Sequence, residues 1–183
     1  EISDGVYSAV VYIDNQNKYG GIQKLRYEMR MYDNKNILVS EPVIGETFLG
    51  PNQKTAIIEN NIFVGNKKPQ TVFFKWLPPL VWERTDEGWE RSHIKSDNEK
   101  VSDSTTSPKI SARLINTHPT YDYINLPVVI LVYDTSGNMI TLSNTVVDIL
   151  PHQGTAQVFF TWQKPFSASV GSIEIIPRVN PFL

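Results

Sequence analysis

The stretch Leu25-Arg26-Tyr27-Glu28-Met29-Arg30-Met31-Tyr32 alternates apolar and polar side chains without a break. Successive side chains of an extended chain point to opposite faces, so Leu25, Tyr27, Met29 and Met31 share one face. Arg26, Glu28 and Arg30 share the other. A helix would scatter both sets around its circumference, so the stretch reads as a half-buried strand with its charged face in solvent. Asp33-Asn34-Lys35-Asn36 follows with turn chemistry, and Ile37-Leu38-Val39 reads as the start of a partner strand. Further strands are expected over 7–13, 55–59, 71–76, 110–115, 126–133, 146–150, 156–162 and 172–177, all rich in Val, Ile, Thr, Tyr and Phe. One helical window, 82–92, is interrupted by Gly88.

Many short strands separated by turn signals point to antiparallel sheets closed as a sandwich or barrel. Twelve Pro and ten Gly among 183 residues fit that reading. Proline lacks the N–H a ladder needs, so Pro42, Pro51, Pro69, Pro127 and Pro151 are expected at strand margins.

The chain also repeats itself. Asn15 and Asn116 each follow an apolar strand, 101 positions apart, and Tyr32-Asp33 returns as Tyr133-Asp134 at the same spacing. Pro51-x-Gln53-x-Thr55-Ala56 returns as Pro151-x-Gln153-x-Thr155-Ala156 at a spacing of 100. Leu25, Tyr27, Met29 and Met31 map onto Leu126, Val128, Ile130 and Val132, so the alternating face keeps its parity. Order, spacing and parity together imply two copies of one β unit. At about 80–90 residues, each copy is large enough for a core of its own, and about seven strands per copy match an immunoglobulin-like sandwich. The expectation is an all-β chain of two consecutive immunoglobulin-like antiparallel β-sandwich domains. The first spans 1–78, a connecting segment spans 79–92, and the second spans 93–183.

The middle of the chain differs in charge. Residues 77–107 hold four basic and seven acidic side chains, whereas 1–78 is near +1 and 108–183 is neutral. Ile94 and Val101 start the second copy's first strand on this reading, and 102–107 is an exposed loop. Trp82 and Trp89 are expected to pack between the domains, with an exposed aromatic platform as the competing arrangement.

Several chemistries find no support. The net charge of −2 and 20% charged residues give no basic surface for nucleic acid. With no Cys there is no disulfide, thiolate metal site or Cys nucleophile. No G-x-S-x-G turn or Gly-rich phosphate loop occurs. His93, His118 and His152 have no metal-ligand spacing, and the last two sit beside Pro119 and Pro151 as loop residues. Glu41, Glu46, Asp148 and Glu174 lie in or beside strands, where a solvated face accounts for them. Asp134-Thr135-Ser136-Gly137-Asn138 offers oxygens to calcium, but a strand resumes at once, so a hairpin turn explains it better. No enzyme, metal or cofactor is expected. Phe159, Phe160, Trp162, Pro165 and Phe166 read as core.

The residues 114–162, LINTHPTYDYINLPVVILVYDTSGNMITLSNTVVDILPHQGTAQVFFTW, carry a strand, an Asn, a long strand ending Tyr-Asp, a Gly turn and a Leu-Pro-x-Gln stretch. Residues 12–40 carry a looser version without Gly in the turn. This pattern resembles the FxLYD-type and related adhesion-type immunoglobulin-like modules of bacterial envelope proteins. Together with TWQKPF and IEIIPRVNPF near the end, the chain looks like membrane-anchored bacterial surface proteins of that kind. The resemblance implies an extracytoplasmic module held by an N-terminal membrane helix outside this sequence and catalysing nothing: a spacer, adhesin or assembly subunit with a protein or cell-surface glycan partner, the alternative from the loop aromatics being a carbohydrate-binding module. For a glycan, flat aromatic faces in loops are the candidates: Trp82, Trp89, Tyr121 and Tyr123, with 117–123 as the best loop.

Overall fold

The computed structural model describes residues 1, 3–85 and 93–182. Among these the chain is all-β and antiparallel, with no helix. The strands are β1 (Val6–Asp14), β2 (Gly20–Tyr32), β3 (Val43–Leu49), β4 (Lys54–Phe63), β5 (Thr71–Leu77), β6 (Glu83–Arg84), β7 (Ile94–Ser102), β8 (Lys109–Asn116), β9 (Tyr123–Asp134), β10 (Met139–Leu150), β11 (Thr155–Thr161) and β12 (Val170–Pro177). The chain divides into two compact units. One is Glu1–Trp89 with Asn180–Leu183, and the other is Glu90–Val179.

In the first unit β2 lies between β3 and β5, and β1 pairs with β4. The alternation that defines β2 sends Tyr27, Met29 and Met31 inward, where they meet Ala9 of β1 and Ile57 and Ile62 of β4. The two sheets therefore pack through one apolar layer. Gly45 of β3 sits opposite Tyr27, and a Cβ there would collide with the Tyr27 ring and hydroxyl. In the second unit β9 lies between β10 and β12, and β8 between β7 and β11. Ile110, Ala112 and Leu114 of β8 and Val128, Ile130 and Val132 of β9 are sealed from solvent, as is Phe160 of β11. Phe159, expected with it in the core, faces out and is half-exposed, as the period of two requires of its neighbour.

The two units use matching registers. Ile13 pairs with Thr55 and Leu114 with Ala156. Arg30 pairs with Phe73 and Leu131 with Glu174. Each pair maps onto the other by adding 101. The Pro-x-Gln-x-Thr-Ala match at spacing 100 does not hold beyond the turn, because Thr155 pairs with Ile115 rather than Leu114. The β3–β4 and β10–β11 turns are equally long, 50–53 and 151–154; the offset steps from 100 to 101 at the register shift between Ile22 and Leu25 in the β2–β3 ladder, which the β9–β10 ladder lacks at that place.

Local expectations are also revised. The partner of β2 starts at Val43, and 37–39 contributes only a single bridge between Tyr32 and Leu38. Pro127 lies within β9, where the ladder with β12 ends: the last register pair is Val128 with Pro177, and the Pro127 carbonyl accepts from Arg178 N–H. Of the helical window, 83–84 is strand β6, paired with Gly20 and Gly21, and 86–92 lies outside the described residues. Each unit has six strands among the described residues rather than about seven. Glu28, expected in solvent, is 8% exposed. Its carboxylate lies 2.6 Å from Arg30 Nε and 3.3 Å from Lys75 Nζ across on β5. The Arg30 contact is an ion pair lacking hydrogen-bond geometry, since neither buried atom has a hydrogen-bond partner.

Candidate functional site at the loop end of the second unit

Asn116 ends β8 and is 1% exposed. A buried amide needs all its partners, and Asn116 has them. Its backbone N–H donates to Gly154 O at 2.9 Å. Its Nδ2 donates to Tyr121 O at 2.8 Å and Leu150 O at 3.3 Å, and its Oδ1 accepts from His118 N at 2.8 Å. One side chain thus ties the β8–β9 loop to the β10–β11 turn. Asn15 performs the same task in the first unit, donating to Gly20 O and Gly50 O and accepting from Asn17 N.

All three histidines gather on this frame in the second unit. His118 Nδ1 accepts backbone N–H bonds from Thr120 at 3.2 Å and Tyr121 at 2.9 Å. Its ring meets His93 edge-on at 4.8 Å and Tyr121 at 5.8 Å, and Tyr121 meets Tyr123 at 5.1 Å. Thr117 fastens the loop to the His93 carbonyl through both its N–H and its hydroxyl. Across the β10–β11 turn, Asp122 Oδ1 accepts from His152 N at 2.7 Å and lies 2.6 Å from His152 Nδ1. The backbone bond from His152, then its side chain, hold the Asp122 carboxyl below the usual range. Burial pushes the Tyr123 phenol up, opposed by a backbone hydrogen bond from His93.

The four aromatics expected to bind fall in different places. Tyr121 is 42% exposed on this loop, while Tyr123 is buried beneath it as a support. Trp82 belongs to the first unit and is 51% exposed. Trp89 lies outside the described residues. The histidines and Asp122 were missed as site residues because no spacing links them. The available signal was their position: both His118 and His152 fall in the turns that Asn116 brackets.

A neutral imidazole whose Nδ1 accepts must carry its proton on Nε2, so His118 presents an N–H donor there and no lone pair. That arrangement serves neither a general base nor a metal ligand. Among the described residues no three His, Asp or Glu side chains converge as metal ligands. Asp134 Oδ1 is committed to Ser136 N and Asn138 N, both at 2.8 Å, so its loop is a self-bonded turn. No protein-family model matches the sequence, and no curated protein matches it.

Proposed function

We propose that the chain is a non-catalytic extracytoplasmic binding module of a bacterial surface protein, built as two consecutive immunoglobulin-like β-sandwich domains from a duplicated unit. One observation carries the reading. Asn15 and Asn116 hold the same hydrogen-bond frame, yet the exposed side chains on the two frames differ. The first displays Asn17 and Tyr19, and the second displays His118, Thr120 and Tyr121. A constant frame with changed loop residues is how a rigid scaffold is adapted to bind. The second unit's loop end is the binding surface, and its partner is a protein or a cell-surface glycan.

The glycan reading is favoured by Tyr121, whose half-open ring is braced edge-on by Tyr123 and His118 beside an Nε2–H donor. Sugars present an apolar ring face and hydroxyl acceptors, which this pairing suits. The test is binding of the full chain to a glycan array and to envelope protein fractions. Saturable binding lost in Tyr121→Ala, with the melting temperature kept, supports the reading. Binding untouched by Tyr121→Ala, or none on either array or fraction, overturns it. The extracytoplasmic placement rests on the family resemblance. It is checked by protease accessibility of the full-length protein on intact cells.

A further inference from the structure

We propose that His118 is a pH-operated latch on the loop that carries Tyr121, closed when the imidazole is neutral and opened by its protonation. The argument starts from the paired frames. In the first unit Asn17 Oδ1 accepts from the backbone N–H groups of Tyr19 and Gly20, at 3.1 and 2.9 Å. In the second, His118 Nδ1 accepts from Thr120 and Tyr121, the residues at the same places. An amide oxygen accepts at every pH. An imidazole nitrogen accepts only while unprotonated, and imidazoles ordinarily titrate near pH ~6.5. Protonation places a third N–H against two others, so both bonds are lost together and the loop loses its local tie.

The surroundings set the direction. His93, ahead of β7, presses its ring edge-on against His118 at 4.8 Å and offers no carboxylate to hold a charged imidazole in place. Asp122 is the nearby carboxylate, and it is occupied by His152 at 2.6 Å on the β10–β11 turn. That pairing keeps Asp122 from compensating His118. Tyr121 and Tyr123 complete the ring chain. The Asn116 bonds to the Tyr121 carbonyl and the His118 N–H and the Thr117 bonds to the His93 carbonyl remain when the latch opens, so the loop is loosened and not unfolded. As a regulator of binding, the latch rests on the reading of this loop end as the binding surface. As a latch it stands on the geometry alone.

The experiment therefore needs no ligand. Amide exchange protection of Thr120 and Tyr121 is measured by NMR in the full chain between about pH 7.5 and about pH 5. Protection should fall by roughly tenfold or more, the scale of one to two lost hydrogen bonds. His118→Asn, which copies the first unit, should hold protection constant across that range. In parallel, imidazole ¹⁵N shifts should show Nδ1 unprotonated at the upper pH. Flat protection in the unmodified chain, the same fall in His118→Asn, low protection at both ends in that variant, or a proton on Nδ1 at the upper pH would each overturn the latch. A working latch with no ligand found would overturn only the binding reading.

Discussion

Asn116 and Glu28 are both buried polar residues, and their different partners make different demands. Asn116 is neutral and saturated, and truncating it orphans the Tyr121 and Leu150 carbonyls and the His118 N–H. Asn116→Ala should destabilise the second unit by about 3 kcal/mol, read as a shift in its urea midpoint. A cost below about 0.5 kcal/mol would mean the frame is not held by this side chain. Glu28 is charged, and its burial alone would raise its pKa, but Arg30 and Lys75 outweigh that and hold it low. The second unit has Val129 and Leu131 where the first has Glu28 and Arg30, and both are nearly sealed from solvent. Replacing a buried ion pair by packed apolar groups is often neutral or stabilising, whereas removing one partner strands a charge. The pair Glu28→Val with Arg30→Leu should therefore match or exceed the parent in thermal stability, and Arg30→Leu alone should fall below it. Equal melting temperatures for the single and double variants would contradict the coupling.

Among the elements, the turns after β2 and β9 reveal how the same shape is reached by different residues. Asp33 N–H donates to Ile37 O, and Asp134 N–H donates to Asn138 O. The fourth turn position is Asn36 at φ 60° in one and Gly137 at φ 82° in the other. Both occupy the left-handed region, which Gly and Asn tolerate and branched residues do not. Gly137→Asn should leave the second unit within about 0.5 kcal/mol of the parent, while Gly137→Ala should cost about 1 kcal/mol despite open space around its Cβ. Equal losses in the two variants would show that contacts, not backbone conformation, set the cost. The element scale is also where the sequence was most legible and where it misled. Strong alternation located β2, while β8 and β9 were located by their Val- and Ile-rich composition. Glu28 was misplaced because its burial comes from Arg30 and Lys75, and a cross-strand neighbour on β5 leaves no mark in the local pattern. The Pro-x-Gln-x-Thr-Ala match suggested the wrong equivalence, because a register shift in the β2–β3 ladder, absent at the same place in β9–β10, changes the offset by one while leaving the letters similar. The candidate site was legible only as loop aromatics. The role of His118 depends on which backbone N–H groups its loop turns toward it, and spacing does not encode that.

At the scale of the whole molecule, the chain does not divide at one cut. The second unit ends at Val179, and Asn180–Leu183 belongs to the first. The sequence suggested that this tail closed the second sandwich. The local geometry explains its place. A Cβ on Gly21, in β2, would lie 2.7 Å from the Phe182 ring, and one on Gly50 would lie 3.3 Å from Pro181. Gly21 is thus crowded on its Cβ side by the Leu49 carbonyl and by Phe182, and Phe182 N–H donating to Asn180 Oδ1 at 3.0 Å shapes the tail that brings it there. Deleting 180–183 should then weaken the first unit by about 1–3 kcal/mol, the worth of one aromatic side chain's partial burial. Val179, buried in the second unit, is retained in that deletion. Amide protection in β2 should fall while protection in β9 holds, a contrast available because stability differs between cooperative regions of one chain. Phe182→Ala should reproduce most of the loss. A deletion that lowered β9 protection and spared β2 would return the tail to the second unit and remove this account of Gly21.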